Sequence, residues 1–502
     1  MSDSSTDAGT RSPLSSITRG ASLHFFGRLL STGLRFVLNL VLTRSLGPAL
    51  FGIYAYTRTL MSFIVIVARF GTGKSLLRFI PKYEEDPERR NRTVGLAYLT
   101  AVAGSAFLGG SLYFAAPLVS SLTLKSALLV TTLRVFAIVL PFNAVMKLTH
   151  AVFRGLELLE YQVLVENVAY PVVQLGVVVA AVALGYSLLG VVAALAVGLV
   201  LVSFLCLALL YTRTSVRPQA SVSSSRMELS EFYSYSIPLT MKDLGSLLYN
   251  RVDILMIGFF LAETAVGVYR ISVLVATILA LPLGAFNQLF PPVASRLYMN
   301  DEMDELEQVY ETITRWALTV TIPPALVMIL YSAELLRVFG AEFTVGGLVL
   351  TLFAVAQLTD SAVGPSGFLL LMTDHQYLNM TNQWLLGVLN VVFNYVLIQE
   401  LGLIGAAVVS AGVLTLINVL RVVEVWYTEG LVPYSTSFWK PVGAGLGAGL
   451  VMASLSRVLD GYALLVGGSL VGGCVFVSLL LAFGIEQHDL DFFADLVGEG
   501  SS

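Results

Sequence analysis

Charge is scarce in this sequence. Asp, Glu, Lys and Arg together supply 12% of 502 residues, about half of the ~25% usual in a soluble domain. Cysteine is nearly missing, with two residues, and histidine is limited to four. Cys206 and Cys474 both fall inside apolar stretches, and His24, His150, His375 and His488 are scattered without ligand spacing. These absences exclude a disulfide framework and a readable zinc site. Long polar stretches are also lacking: the longest run to about 20 residues, too short for a catalytic or nucleotide-binding domain. Lysine provides only six of the 29 basic residues and the C-terminus is acidic, a composition suggestive of a salt-adapted prokaryote.

What is abundant is apolar sequence, 56% of the chain with a mean hydropathy of +0.81. A helix needs about 20 apolar residues to cross ~30 Å of hydrocarbon, and such runs recur about fourteen times. The expected spans are 21 to 43, 52 to 71, 94 to 116, 128 to 152, 162 to 184, 188 to 211, 235 to 261, 267 to 291, 309 to 331, 346 to 371, 379 to 399, 403 to 427, 438 to 457 and 462 to 484. The fold class is therefore an all-α integral membrane protein. Residues 1 to 20 are Ser/Thr-rich without an apolar core, which predicts a disordered tail and not a signal peptide. Residues 212 to 231 read as a linker and 485 to 502 as an acidic tail.

Six basic residues crowd 74 to 92, and Arg213, Arg217 and Arg226 lie in the linker. Loops of the other parity hold few, chiefly Arg44, Lys125 and Arg337. The positive-inside rule then places both termini in the cytoplasm of a plasma-membrane protein. Within the same basic region "GTGKS" (Gly71 to Ser75) imitates the end of a phosphate-binding loop. The glycine required five residues before Gly73 is Ala68, and an apolar helix-length run precedes it where a strand is needed. No ATP site is expected, and Lys74 and Arg78 read as interfacial anchors.

The chain repeats itself. "LGPALFGIY" (Leu46 to Tyr54) and "LAETAVGVY" (Leu261 to Tyr269) align at an offset of 215, as do Gly190 with Gly405, Asn167 with Asn382 and Ser31 with Ser246. An even number of spans per repeat predicts two parallel six-helix bundles, 21 to 211 and 232 to 427, related by a pseudo-twofold along the membrane normal. Two further Gly-rich helices, within 438 to 484, are suited to close packing.

A charge near the bilayer centre costs roughly 2.5 to 3.5 kcal/mol, so it is kept where a partner or a wet cavity meets it. Arg28, Ser31, Thr32, Arg35 and Asn39 share one helical face, as do Lys242, Ser246, Tyr249, Asn250 and Asp253 in the repeat-equivalent span. Arg58 and Arg270 add cations toward the opposite side. Such a ladder suits a phosphate or pyrophosphate, which arginine can hold bidentately. Snorkelling or pairing with acids is the alternative for Arg58, Arg69 and Arg270 near span ends. Asp360 precedes the helix-breaking Gly364-Pro365; it and Asp253 are candidates either for Na⁺ or H⁺ coupling or for neutralising a nearby arginine. Glu166 lies close to the cytoplasmic interface, where a solvated role is expected.

The runs Leu42 to Tyr56, Ala68 to Tyr83 and Ser236 to Tyr298 resemble the polysaccharide transporter family of the multidrug, oligosaccharidyl-lipid and polysaccharide exporter superfamily. The resemblance implies a lipid-linked oligosaccharide flippase, not an enzyme, working by alternating access around a central cavity. It also implies a polyprenyl or dolichyl phosphate or pyrophosphate carrier, with glycosyltransferases or a polymerase as pathway partners and no nucleic acid. Related peptidoglycan-precursor flippases carry essential arginines in their first, second and eighth helices, which by analogy supports Arg28, Arg35, Arg58 and Arg270. An ion-coupled multidrug exporter of the same superfamily is the nearest rival, and it would favour unpaired acids in the cavity. A membrane glycosyltransferase or polymerase is more remote, because the sole D-x-D is Asp489-Leu490-Asp491 in a short tail.

Overall fold

The computed structural model describes residues 13–219 and 226–484, and among them helices account for all regular structure. In chain order the longer ones are α1 (Pro13–Arg69), α2 (Thr72–Lys82), α3 (Pro87–Leu122), α4 (Ala127–Gly155), α5 (Leu159–Ala183), α6 (Leu188–Arg213) and α7 (Arg226–Phe260). The second half continues with α8 (Glu263–Met299), α9 (Met303–Leu330), α10 (Ala341–Val363), α11 (Gln376–Leu401), α12 (Leu403–Glu429), α13 (Trp439–Leu455) and α14 (Gly461–Ala482). Among the described residues eleven helices have the length and apolarity of a membrane span. The expected fourteen differ from that number for local reasons. The first two expected spans run together in α1; α7 carries Lys242, Asp243, Arg251 and Asp253; α13 has 17 residues. The tail expected over 1 to 20 is helical from Pro13 onward. Residues 1 to 12, part of the linker and the acidic end with its D-x-D lie outside the described residues.

Helix α1 is broken at Gly47, whose φ of 69° and ψ of 175° only glycine adopts easily, and Pro48 restarts the helix because its fixed φ is already helical. At an offset of 215 the same junction recurs at Ala262, extended at ψ 161°, ahead of the first residue of α8. The starts of α3 and α9, α4 and α10, α5 and α11, and α6 and α12 are separated by 216, 214, 217 and 215 residues. The short matches in sequence thus mark a repeat of whole helices.

The chain divides into two compact units between Leu247 and Leu248, inside α7 and not in the linker where sequence composition placed it. The first half of α7 belongs to unit 1 through side-chain contacts. Phe232 packs on Phe79 with ring centroids 5.7 Å apart, the Ser236 and Ser75 hydroxyls lie 2.6 Å apart, and Tyr233 and Thr100 share a 2.6 Å bond. These residues gather around Leu76, Phe79 and Ile80, the buried face of α2, together with Val152 and Phe153 of α4. In unit 2, Leu318 and Ile322 of α9 pack with Ala444 and Ala448 of α13 and Phe476 of α14. A Cβ at Gly445 would collide with Ile322, and one at Gly472 with Met452. Gly445 and Gly472 therefore allow close helix packing, whereas Gly467 and Gly473 of α14 have open space around them.

A candidate anion cleft and a buried carboxylate

Unit 1 contains a cleft of about 190 Å³. It forms where α1 ends, α2 begins, and α4, α5 and the first half of α7 converge. Arg69, Gly71, Gly73, Lys74, Lys147, His150, Arg154, Gln162, Glu166 and Asp243 provide its polar lining. Gly71 makes the sharp turn between α1 and α2 with a left-handed φ of 68°. A helix, not a strand, leads into the GTGKS segment, and Lys74 pairs with Asp243. Lys147 Nζ lies 3.4 Å from Glu166 Oε1. Gln162 Nε2 donates to Glu166 Oε2 at 3.3 Å, and His150 Nδ1 stands 3.8 Å from that oxygen.

Four cations thus face two carboxylates, leaving a positive excess around Arg69 and Arg154. Lys147 and Gln162 engage the Glu166 carboxylate, which stays partly open to water as expected near the interface. Arg69 turns into the cleft, so snorkelling does not describe it. The spacing of Lys147, His150 and Glu166 gave little signal, because they meet only when α4 and α5 pack together. Lysine and histidine at i and i+3 on α4 was the available hint.

The ladder residues are divided between the units. In unit 1, Arg28 and Arg35 are exposed. Neighbouring polar groups turn back onto the helix: Thr32 Oγ1 donates to the Arg28 carbonyl at 2.9 Å and Asn39 Nδ2 to the Arg35 carbonyl at 2.7 Å. Lys242 is exposed. Arg58 is half-buried, over the Tyr54 ring with its guanidinium carbon 6.0 Å from the centroid and beside Tyr170. None of these four residues lines the cleft.

In unit 2, Asp253 is buried and accepts from three donors. These are the Tyr269 hydroxyl at 2.5 Å, its neighbour Ile254 N at 2.8 Å and Ser410 Oγ at 3.1 Å. Arg270 adds its positive field. A carboxylate so engaged has little lone-pair capacity left for an ion. Asp360 lies near Arg421 and Asn418, on α10 just before Gly364 breaks the helix with a φ of 61°. Tyr249 faces Arg421 and Asp360, whereas Asn250 is exposed. The arginine beside Asp360 comes from α12, outside the ladder read from sequence. Farther along α12, Glu424 accepts from Asn382 at 2.7 and 2.8 Å.

Known proteins of similar fold include the lipid II flippase MurJ in an inward closed conformation. Its TM-score is 0.72 at 14% identity, with 96% of this chain and 100% of MurJ covered. An inward-facing multidrug resistance MATE family transporter gives a TM-score of 0.64 at 16% identity over 82% of this chain and 99% of that one. At these identities the likeness concerns the fold alone. In sequence, a probable low-salt glycan biosynthesis flippase of Haloferax volcanii, Agl15, is 28% identical over 180 residues. That match covers 36% of this chain and 38% of the relative's length. The family model of polysaccharide biosynthesis proteins matches residues 17–297, more than half of the sequence, and the chain belongs to that family.

Proposed function

We propose that the protein is a flippase that carries a glycan linked to a polyprenyl or dolichyl phosphate or pyrophosphate from the cytoplasmic to the outer leaflet. The observation that carries this reading is the pairing of family membership with cationic polar sites in an apolar helical protein. The glycan-flippase relative and the flippase-like fold support it. The glycan head would pass by alternating access while the lipid tail stays in the bilayer. Arg28, Arg35, Arg58, Lys242 and Arg270 would meet the phosphate along the way, with Asn39, Tyr249 and Asn250 contacting sugar hydroxyls. The work is transport, not catalysis, and the product would feed surface polysaccharide or glycoprotein synthesis, with glycosyltransferases or a polymerase of the same pathway as partners.

A Na⁺ or H⁺ gradient would drive the cycle. Asp360 is the better placed of the two acids, since Asp253 is already engaged by its donors. Basic residues 74 to 92 orient the cleft toward the cytoplasm. The MATE likeness supports a second reading, an ion-coupled multidrug exporter. The cation excess of the cleft weighs against it, because a cationic drug needs unpaired acids.

The test is accumulation of lipid-linked glycans in a deletion strain, resolved by membrane leaflet. Build-up confined to the cytoplasmic leaflet is expected. An unchanged leaflet distribution with increased dye sensitivity would favour the exporter. For orientation, Arg89→Cys should react with a membrane-impermeant thiol reagent only after the cells are opened.

A further inference from the structure

The family's transport role leaves the cleft of unit 1 unexplained, since Arg28, Arg35, Arg58 and Lys242 do not line it. We propose that this cleft is a separate binding site for a phosphate or diphosphate group, held chiefly by Arg69 and Arg154 with Lys74 and Lys147 in support. Lys74 and Lys147 are each matched by a carboxylate, whereas the two arginines supply charge beyond that balance. The N-terminus of α2 opens on the same space. No side chain caps it, and Gly71 and Gly73 line the cleft. The helix dipole there favours negative charge.

A second feature points to a ligand. His150 is 5% exposed and lines the cleft, yet its Nδ1 has no hydrogen-bond partner, the nearest carboxylate oxygen, Glu166 Oε2, standing 3.8 Å away. Leaving such a polar atom buried and unmatched is costly, and a phosphate oxygen would accept from it as an N–H. A volume of about 190 Å³ corresponds to roughly six waters at ~30 Å³ each, enough for a diphosphate. The GTGKS segment thus contributes its helix end and Lys74 to an anion site without forming a nucleotide loop.

Assigning the anion to the head of a carrier lipid rests on the flippase reading; the anion site itself does not. Calorimetry on the full-length protein in detergent would use two probes, inorganic pyrophosphate and a short prenyl pyrophosphate. Arg69→Gln and Arg154→Gln should each weaken binding about tenfold or more, through loss of a charge-assisted hydrogen bond. Arg154→Lys should retain much of it, and Lys440→Gln, on α13, should leave it unchanged. Glu166→Gln should tighten binding about threefold, because it removes a competing negative charge and releases Lys147. A residue that only supports the fold would not produce that gain.

Monodisperse Arg69→Gln and Arg154→Gln proteins with undiminished pyrophosphate binding would overturn the site. Binding of inorganic pyrophosphate but not of the prenyl form would keep the site and overturn its assignment to the carrier lipid. Failure of the flippase reading would show instead in the leaflet assay, with both calorimetric results intact.

Discussion

The two units place repeat-equivalent residues in opposite electrostatic settings. Tyr54 of unit 1 lies under the Arg58 guanidinium, while Tyr269, 215 residues later, donates its hydroxyl to buried Asp253. The sequence counterpart of Asp253 in unit 1 is Leu38, which is buried and apolar. Unit 1 instead collects its charge in a cleft, with Lys147 and Glu166 38% and 30% exposed. Unit 2 buries polar side chains such as Asn379, Asn382, Asn390, Asn394 and Asn418 along α11 and α12. A common helical scaffold therefore carries two kinds of polar site. The cation-rich one keeps its charged groups partly open to water, whereas Asp253 is matched internally. Duplication preserved the spacing of helix starts and the junctions, and point differences in the sequence decided the chemistry.

The contrast is tested most severely at Asp253. Asp253→Ala would leave the Tyr269 and Ser410 hydroxyls without their acceptor and remove the field balancing Arg270, a loss of about 3 kcal/mol or more. Thermal unfolding in detergent should show a large drop, and Asp253→Asn a smaller one. A wild-type melting temperature for Asp253→Ala would mean that the carboxylate is dispensable to unit 2.

Arg35 should behave in the opposite manner, affecting transport and not stability. If it meets the carrier phosphate, Arg35→Ala removes about 1.5 to 3 kcal/mol of charge-assisted hydrogen bonding. Flipping would be nearly abolished in a protein that still folds. Arg35→Lys keeps the charge without the planar fork and should be partly active. Full complementation by well-expressed Arg35→Ala, or its rescue by Asp253→Asn or Asp360→Asn, would end the phosphate-binding role.

A finer comparison sets the two tyrosines side by side. Tyr269→Phe takes a donor from a buried carboxylate and should cost about 1 to 3 kcal/mol. Tyr54→Phe keeps an aromatic face under Arg58, a contact worth about 0.5 to 1 kcal/mol at exposed sites, and should cost less. Equal melting shifts for the two variants would dissolve the difference drawn between the units.

The smallest expected effect is at Lys147 and Glu166. Their side chains are 38% and 30% exposed to water, so a double-mutant cycle with Lys147→Ala and Glu166→Ala should give a coupling within about 1 kcal/mol. A coupling well above this would show that the pair is a structural lock and not an exchangeable one.

Much of the architecture was legible in sequence because membrane helices must satisfy their backbone hydrogen bonds internally, so apolar length alone identifies them. The junctions Gly47-Pro48 and Ala262-Glu263 were visible as a repeated motif before their geometry was known. The boundary between the units was less legible. Composition marked the polar linker, but Phe232, Tyr233 and Ser236 bind the start of α7 into unit 1 through contacts with residues more than a hundred positions earlier. The stripe containing Arg28 and Arg35 could be read from helical periodicity. The cleft could not, because its lining is drawn from five separate helices.

By itself, then, the sequence determined that the chain is helical, apolar and duplicated, since those properties depend on residue type and spacing along one segment. Only the tertiary structure decided which charges meet. Lys147 reaches Glu166 because α4 packs on α5, and Tyr269 reaches Asp253 because α8 folds back on α7. Electrostatic interactions act over a few ångströms in space, and distance along the chain does not specify them.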